Sequence, residues 1–141
     1  MTGKNIRKLV LAALLAALTA VATMIIRIPT PTQGYIHLGD GMVLICGILL
    51  GPGLGALAAG IGSMMADLIG GYMAWVPGTF AIKALTALLG GWLYHRMAGK
   101  GMNTITRVVL CGIPAEIIMV LGACVYEVGI DVVMGCCVGA A

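Results

Sequence analysis

Long apolar runs alternate along this chain with short segments that hold most of its charged residues, prolines and turn-forming glycines. The first run follows Lys4, Arg7 and Lys8 and continues to Ile26. It is longer than the apolar region of a signal peptide, and further apolar runs follow it. We therefore interpret it as a transmembrane helix retained in the mature protein, and the whole pattern predicts an all-α polytopic membrane bundle.

The uncharged run from Gly41 to Ala66 is interrupted at Gly51-Pro52-Gly53. It fits either one kinked helix or two helices joined by a tight turn. Proline breaks the helical hydrogen-bond ladder and glycine permits positive φ, which favours the turn. Two helices also put the N-terminal basic residues on the same side of the membrane as the basic residues of 96–107, as the positive-inside rule requires.

These signals predict a single integral membrane domain over residues 1–141 with five full helices, whose ends are fixed to about 2–4 residues. The helices cover approximately residues 6–28, 36–50, 54–69, 74–94 and 105–126. After a loop at 127–131, a stub at 130–141 is too short to cross a hydrocarbon core of ~30 Å. We interpret it as a re-entrant end or, preferably, as the remnant of a truncated sixth helix.

The same map places the N-terminus, the 51–53 turn and the 95–107 loop in the cytoplasm. Trp and Tyr favour membrane interfaces, because their rings are apolar while their N–H or O–H groups need water. They form an outer belt and an inner belt in this topology. The outer belt contains Tyr35, Tyr72, Trp75 and Tyr126, and the inner belt contains Trp92 and Tyr94.

Composition supports the membrane assignment and excludes several functional classes. Hydrophobic residues make up 61% of the 141 residues and charged residues 9%, whereas soluble domains average about 25% charged residues. The net charge of +3 comes from basic residues at the ends of apolar runs, a topology signal rather than a nucleic-acid-binding face. The five cysteines lack the spacing of a zinc site or a redox motif, and we assign them no redox role.

A few charged residues lie inside the apolar segments, where a charge costs roughly 2.5–3.5 kcal/mol and therefore needs a partner or a ligand. Lys83 is near the middle of the fourth predicted helix, and Glu116 has a similar depth in the fifth. We predict a buried ion pair between them, with either a structural or a ligand-contacting role.

Two further carboxylates, Asp40 and Asp67, are predicted near the outer ends of their helices. Aromatic residues at the same level are Tyr35, His37, Tyr72 and Trp75. Carboxylates and aromatic faces at one mouth suit a small planar ligand held by stacking and hydrogen bonds. The alternative is that each aromatic residue is only an interface anchor.

Helix 1 carries a stripe of small residues, Ala12, Ala16 and Ala20, at a spacing of four. Small residues at this spacing let another helix approach closely. The stripe fits either packing within the subunit or docking of a separate membrane protein.

Several motifs occur in a fixed order along the chain. They are Gly34-Tyr-Ile-His-Leu-Gly-Asp40, Leu50-Gly-Pro52-Gly-Leu-Gly-Ala56, Gly60-Ile-Gly-Ser63, Ala66-Asp-Leu-Ile-Gly-Gly-Tyr72 and Pro77-Gly-Thr-Phe-Ala-Ile-Lys83. This series resembles the substrate-binding S components of energy-coupling-factor (ECF) vitamin transporters, most closely the riboflavin and pyrimidine-type branch. The resemblance covers helices 1 to 5. The family's sixth helix, which carries ligand-facing Asn and Gln, has no counterpart after Asp131.

The resemblance implies a substrate-capture subunit in a prokaryotic cell membrane, with no cofactor and no enzymatic activity of its own. Its implied partners are a vitamin, a transmembrane coupling subunit that docks on Ala12, Ala16 and Ala20, two cytoplasmic ATPase subunits and membrane lipid. The implied ligand-side residues are Tyr35, His37, Trp75, Thr79, Lys83 and Glu116, with Asp40 and Asp67 as polar supports.

The sequence leaves three alternative functions open. A membrane-embedded enzyme would need a catalytic constellation, and the sequence offers only scattered carboxylates. A homo-oligomeric channel or carrier would use the alanine and glycine stripes for self-association. A truncated, non-functional remnant is the third alternative.

Overall fold

The computed structural model describes residues 3–25, 28–29, 35–36 and 38–139, and helices account for nearly all of them. The five α-helices are α1 (Gly3–Ile25), α2 (Leu38–Leu50), α3 (Pro52–Gly70), α4 (Val76–Met97) and α5 (Thr104–Gly139). A short 3₁₀ helix, Ala98–Lys100, follows α4. Two-residue strands, β1 (Ile28–Pro29) and β2 (Tyr35–Ile36), pair antiparallel between α1 and α2, with Ile28 opposite Ile36.

The helices run alternately between two ends of one bundle. One end, here the basic end, holds the start of α1, the α2–α3 turn and the α4–α5 connection, with Lys8 beside Leu54 and Arg107 over the ring of Tyr94. The other end, the hairpin end, holds the strands and residues 71–75. The two groups of basic residues from the sequence analysis thus lie at the same end of the bundle.

The chain changes direction between α2 and α3 within a single residue, Gly51. This glycine has a φ of +86°, a backbone conformation that is unfavourable for residues with a Cβ atom. Pro52 then starts α3, a position at which its missing N–H costs no hydrogen bond. The Gly51 carbonyl accepts the N–H of Gly55 at 2.9 Å, which closes the first turn of α3.

Small residues bring the helices close together. Added methyl groups on Gly47 of α2 and Gly91 of α4 would overlap the carbonyl oxygens of Ala87 and Gly47, respectively. A methyl group on Gly62 of α3 would likewise overlap the carbonyl oxygen of Ala16 in α1. The backbones are therefore in direct contact, which is how membrane helices gain van der Waals packing where lipid offers no hydrophobic driving force.

Four helices, α1, α3, α4 and α5, are long and apolar enough to cross a membrane. The fifth, α2, has 13 residues, about 20 Å at 1.5 Å per residue, against a hydrocarbon core of ~30 Å. The prediction of an all-helical membrane bundle is thus confirmed, whereas the predicted five full-length helices are not, since α2 is short.

The separate stub predicted for residues 130–141 is also not observed in the described residues, because α5 continues without a loop to Gly139. The expected loop at 127–131 contains two charged residues, Glu127 and Asp131, and both lie within α5. These residues are four apart on one face of α5, and the segment contains no proline and only Gly129 as a weak helix former. Charge alone does not end a helix.

The exterior of the bundle is apolar. Large side chains are exposed along α1, α3 and α5, among them Leu14 at 63%, Ile69 at 63% and Val125 at 72% exposed. An apolar exterior of this extent would associate in water and is suited to lipid.

Candidate functional site

The main polar feature within the described bundle is a salt bridge between two helices. Lys83, in the eighth position of α4, donates from Nζ to Oδ1 of Asp40, in the first turn of α2. Their side chains are only 13% and 15% exposed. The Lys83 Nζ also lies 3.2 Å from Sδ of Met119 on α5. The pair therefore joins three helices across the bundle interior.

A second carboxylate lies beside this pair. Glu116 is one turn before Met119 on α5, partly buried, and close enough to Asp40 and Lys83 to interact electrostatically with both. Among the residues that the structure describes, its side chain has no hydrogen bond or salt bridge. We call Asp40, Lys83, Glu116 and Met119 the charged cluster.

The charged cluster has a consistent depth. At 1.5 Å per residue, Asp40 is about 15 Å from the basic end of α2, Glu116 about 18 Å from the start of α5, and Lys83 about 21 Å from the end of α4. These values fall between the middle and the hairpin side of a core of ~30 Å. Water cannot fully solvate charges at that depth, so a partner or ligand must compensate them.

The predicted ion pair between Lys83 and Glu116 is not the one observed, because Lys83 pairs with Asp40. The prediction placed Asp40 at the outer mouth of the bundle, as though α2 reached the outer interface. Since α2 has only 13 residues, its first turn lies at the depth of Lys83 instead. The positive end of the α2 dipole further stabilises the Asp40 carboxylate.

A separate contact locks α5 against the start of α4 at the hairpin end. The Tyr126 hydroxyl donates to the Ala74 carbonyl at 2.6 Å, and its ring meets Trp75 edge-on with centroids 5.5 Å apart. A methyl group on Gly78 would overlap the Tyr126 ring. The bare backbone of Gly78 is thus what allows the ring to lie over α4.

We predict that Tyr126→Phe destabilises the bundle modestly, by about 0.5–1.5 kcal/mol, because it removes one hydrogen bond and keeps the ring. Thermal unfolding in detergent, followed by circular dichroism, measures the effect. Tyr94→Phe is the matched control, because the Tyr94 hydroxyl makes no hydrogen bond among the described residues. A midpoint for Tyr126→Phe equal to or above that of the wild type would show that the Ala74 contact does not stabilise the fold.

The other predicted ligand-side residues are distributed as follows. Trp75 precedes α4, and Thr79 lies in its first turn, where its N–H donates to the Trp75 carbonyl at 2.8 Å. Asp67 is partly buried near the hairpin end of α3, outside the charged cluster. His37 and the Tyr35 side chain lie outside the described part of the chain, so their predicted roles stay predictions.

The alanine stripe of α1 packs within the subunit. Ala12 and Ala16 lie against the buried core formed with α2 and α3, and Ala16 meets the backbone of Gly62. Ala20 is partly buried in the same register. The small residues thus serve internal packing, one of the two interpretations offered above, while docking of a second protein on this helix stays a prediction.

An open apolar groove of about 580 Å³ lies between α4 and α5, lined in part by Pro77, Ala81, Leu121 and Val125. Its volume would suit a small molecule, but binding sites also need a few polar groups to orient a ligand. The lining contains no charged residue. We therefore place the candidate site at the charged cluster and not in this groove.

Two residues of these interhelical contacts, Met119 and Tyr126, are not among the predicted site residues. A methionine in an apolar helix carries no distinguishing signal, although its spacing of three from Glu116 puts both on one face of α5. Tyr126 is predicted only as part of the interface belt.

All five cysteines are free thiols, and no described group of His, Cys, Asp or Glu side chains has the arrangement of a metal site.

Comparisons with known proteins agree with the motif series. The profile of the family described as ECF-type riboflavin transporter, S component, matches residues 3–139. An uncharacterized protein of Pyrococcus woesei, encoded in the gap 3′ region, is 40% identical over 103 residues. The alignment covers 72% of this chain and 66% of that protein. No solved structure matches the chain significantly.

The family match covers all five helices and confirms the resemblance drawn from the motifs. It assigns the chain to transporter subunits and not to an enzyme family, in agreement with the apolar helices of spanning length. The chain is a multi-pass membrane protein that belongs to the family of S components of ECF-type riboflavin transporters.

Proposed function

We propose that this chain is the substrate-capture subunit of an ECF-type importer and that it binds a B vitamin or a related small planar molecule, with riboflavin the first candidate. The family match supports the transporter class. The observation that carries the proposal is the charged cluster, since three ionisable residues meet inside an otherwise apolar bundle. Ionisable residues inside membrane proteins typically face the bundle interior and mark substrate or ion pathways.

One face of α4 runs from the hairpin end of the bundle to the charged cluster. Trp75, Thr79 and Lys83 are spaced by four residues and therefore follow one face of α4 inward. An aromatic ring, a hydroxyl and an ammonium group along one face provide stacking and hydrogen bonding for a planar ligand with polar substituents. We propose these residues as ligand-side groups together with Glu116, Tyr35 and His37, and Asp40 and Asp67 as their supports.

In this proposal the bundle works with a transmembrane coupling subunit and two cytoplasmic ATPase subunits, and the basic end faces the cytoplasm of a prokaryotic cell. The positive-inside rule supports this orientation, since both groups of basic residues share that end. Capture takes place at the hairpin end. ATP hydrolysis by the partners then drives rocking of the bundle, which carries the vitamin to the other side, while the chain itself catalyses no reaction.

Mass spectrometry of small molecules bound to the purified protein tests this function. The chain is expressed in a riboflavin-producing host, purified in mild detergent and extracted with organic solvent. We expect a stoichiometric vitamin in the extract and none in that from an unrelated membrane protein purified in parallel. An empty extract, followed by failure of added riboflavin to bind, would contradict the proposal.

The mass of the detergent-solubilised protein distinguishes substrate capture from the main alternative, a homo-oligomeric channel or carrier. Capture predicts a monomer, or a complex with a coupling subunit when the two are produced together. A defined homo-oligomer would favour the channel. A monomer that binds no vitamin and no coupling subunit would match a non-functional remnant.

A further inference from the structure

We propose that the charged cluster selects its ligand by charge, accepting uncharged or cationic molecules and rejecting anions, and that Asp40 and Glu116 set this preference. This inference rests on the proposed function, because it assumes that the ligand binds against the cluster. It goes further by defining the chemical class of ligand that the site accepts.

The first step is a count of charges. Among the described residues of the cluster, Lys83 supplies the one positive charge and Asp40 already neutralises it through a direct salt bridge. The neighbouring Sδ of Met119 is a neutral, weak acceptor. Among the described residues, no positive charge of the cluster is therefore left over for a carboxylate or a phosphate on the ligand.

The second step is the state of Glu116. An ionised Glu116 gives the cluster a net charge of −1, and a protonated Glu116 gives zero. An anionic ligand would take the cluster to −2 or −1. A cation bound with ionised Glu116 would bring it to zero, and a protonated Glu116 can reach that state by losing its proton, which a glutamine cannot do. The preference against anions thus holds in both protonation states.

The third step concerns magnitude. Two charges 10 Å apart interact by about 1.7 kcal/mol at an effective dielectric constant of ~20, which is more than a tenfold change in affinity. The dimensions of a vitamin are comparable with this distance. The cluster can therefore discriminate against a charge on a distant part of the ligand, in addition to the cost of moving an anion out of water.

The proposal also explains why Glu116 has no hydrogen bond or salt bridge within the described part of the chain. Glu116 is partly buried, and a carboxyl group in an apolar bundle is stabilised by a hydrogen-bond partner, which can be a ligand. The Glu116 carboxyl group would accept a hydrogen bond from a ligand hydroxyl, amide N–H or ammonium group. Lys83 keeps its place on the ligand side of α4, while its charge is neutralised by Asp40.

Three flavins with the same ring and the same side chain test the proposal on the wild-type protein. They are riboflavin, its analogue with a carboxylate in place of the terminal CH₂OH, and its analogue with a terminal ammonium group. Equilibrium dialysis in a non-ionic detergent at pH 7 measures each Kd. We expect the carboxylate to bind at least tenfold more weakly than riboflavin and the ammonium analogue to bind at least as tightly.

Asp40→Asn tests whether the neutralisation of Lys83 by Asp40 causes the rejection of anions, because this variant leaves the charge of Lys83 unpaired. We expect the ratio of carboxylate to riboflavin affinity to rise at least tenfold in this variant. Asp131→Asn, which removes an exposed carboxylate of α5 far from the cluster, should leave the ratio unchanged. If Asp40→Asn does not fold, Glu116→Gln replaces it, since it retains the salt bridge. That variant should reduce the preference for ammonium over carboxylate at least fivefold.

Three results would overturn the inference. The wild type could bind the carboxylate within twofold of riboflavin, or a folded Asp40→Asn could keep the wild-type ratio, or Glu116→Gln could keep the wild-type preference. In each of these cases the protein still binds flavin and the proposed function stands. Binding of none of the three flavins by the folded wild type would instead overturn the proposed function with riboflavin, and the inference with it.

Discussion

Lys83→Met is expected to destabilise the folded bundle by about 3–5 kcal/mol and to abolish ligand binding. The substitution keeps an unbranched side chain but leaves the Asp40 carboxylate, 15% exposed, without its partner. Removing one member of a buried ion pair costs this much because the remaining charge stays desolvated. Thermal unfolding in detergent, together with the yield of monodisperse protein, measures the effect.

Two further variants complete this test. Lys100→Met removes an exposed lysine at the basic end and should have almost no effect. The double variant Asp40→Asn with Lys83→Met removes both charges and should recover most of the lost stability, since a neutral pair of similar volume is often tolerated. If Lys83→Met were as stable as the wild type, the salt bridge would not contribute to holding α2 against α4.

The second large effect is expected at the crossing of α2 and α4. Gly91→Ala should destabilise the bundle by about 1–3 kcal/mol, because the added methyl group would overlap the Gly47 carbonyl oxygen and force the two helices apart. This exceeds the gain of up to about 1 kcal/mol in helix propensity that alanine otherwise brings. The unfolding midpoint and the far-ultraviolet circular dichroism give the change in stability and helix content.

Gly129→Ala is the matched control for Gly91→Ala. Gly129 lies inside α5, and nothing stands within 4 Å of an added methyl group there, so the same substitution should be neutral or stabilising. Equal destabilisation by both variants would show that the effect arises from the alanine side chain in general. A stable Gly91→Ala protein would contradict the direct backbone contact between α2 and α4.

The helical architecture could be predicted from the sequence because the bilayer imposes it. Any chain with these apolar runs must satisfy its backbone polar groups internally, and helices do so. The turn at Gly51 could also be predicted, since a proline between two glycines favours a turn over a continuous helix. The continuation of α5 past Asp131 differs from the predicted stub, because the segment 127–131 lacks the proline or glycine cluster that would end a helix.

The sequence predicts which ionisable residues belong to the site better than it predicts which of them form the salt bridge. Ionisable residues in apolar segments are conspicuous, so Asp40, Lys83 and Glu116 were all recognised as candidates. Which of the two carboxylates pairs with Lys83 depends on the relative depths of three helices. Those depths follow from the short length of α2 and from the tight crossing at Gly47 and Gly91, a tertiary feature that no local pattern specifies.

The most direct test of the central claim is a titration of the purified wild-type chain with riboflavin by equilibrium dialysis, with Lys83→Met alongside. The claim is that this bundle captures a vitamin at the charged cluster. We expect saturable binding of one riboflavin per chain in the wild type and no binding in Lys83→Met. Saturable binding that is unchanged in a folded Lys83→Met protein would contradict the location of the site, and no binding by the folded wild type would contradict capture of riboflavin itself.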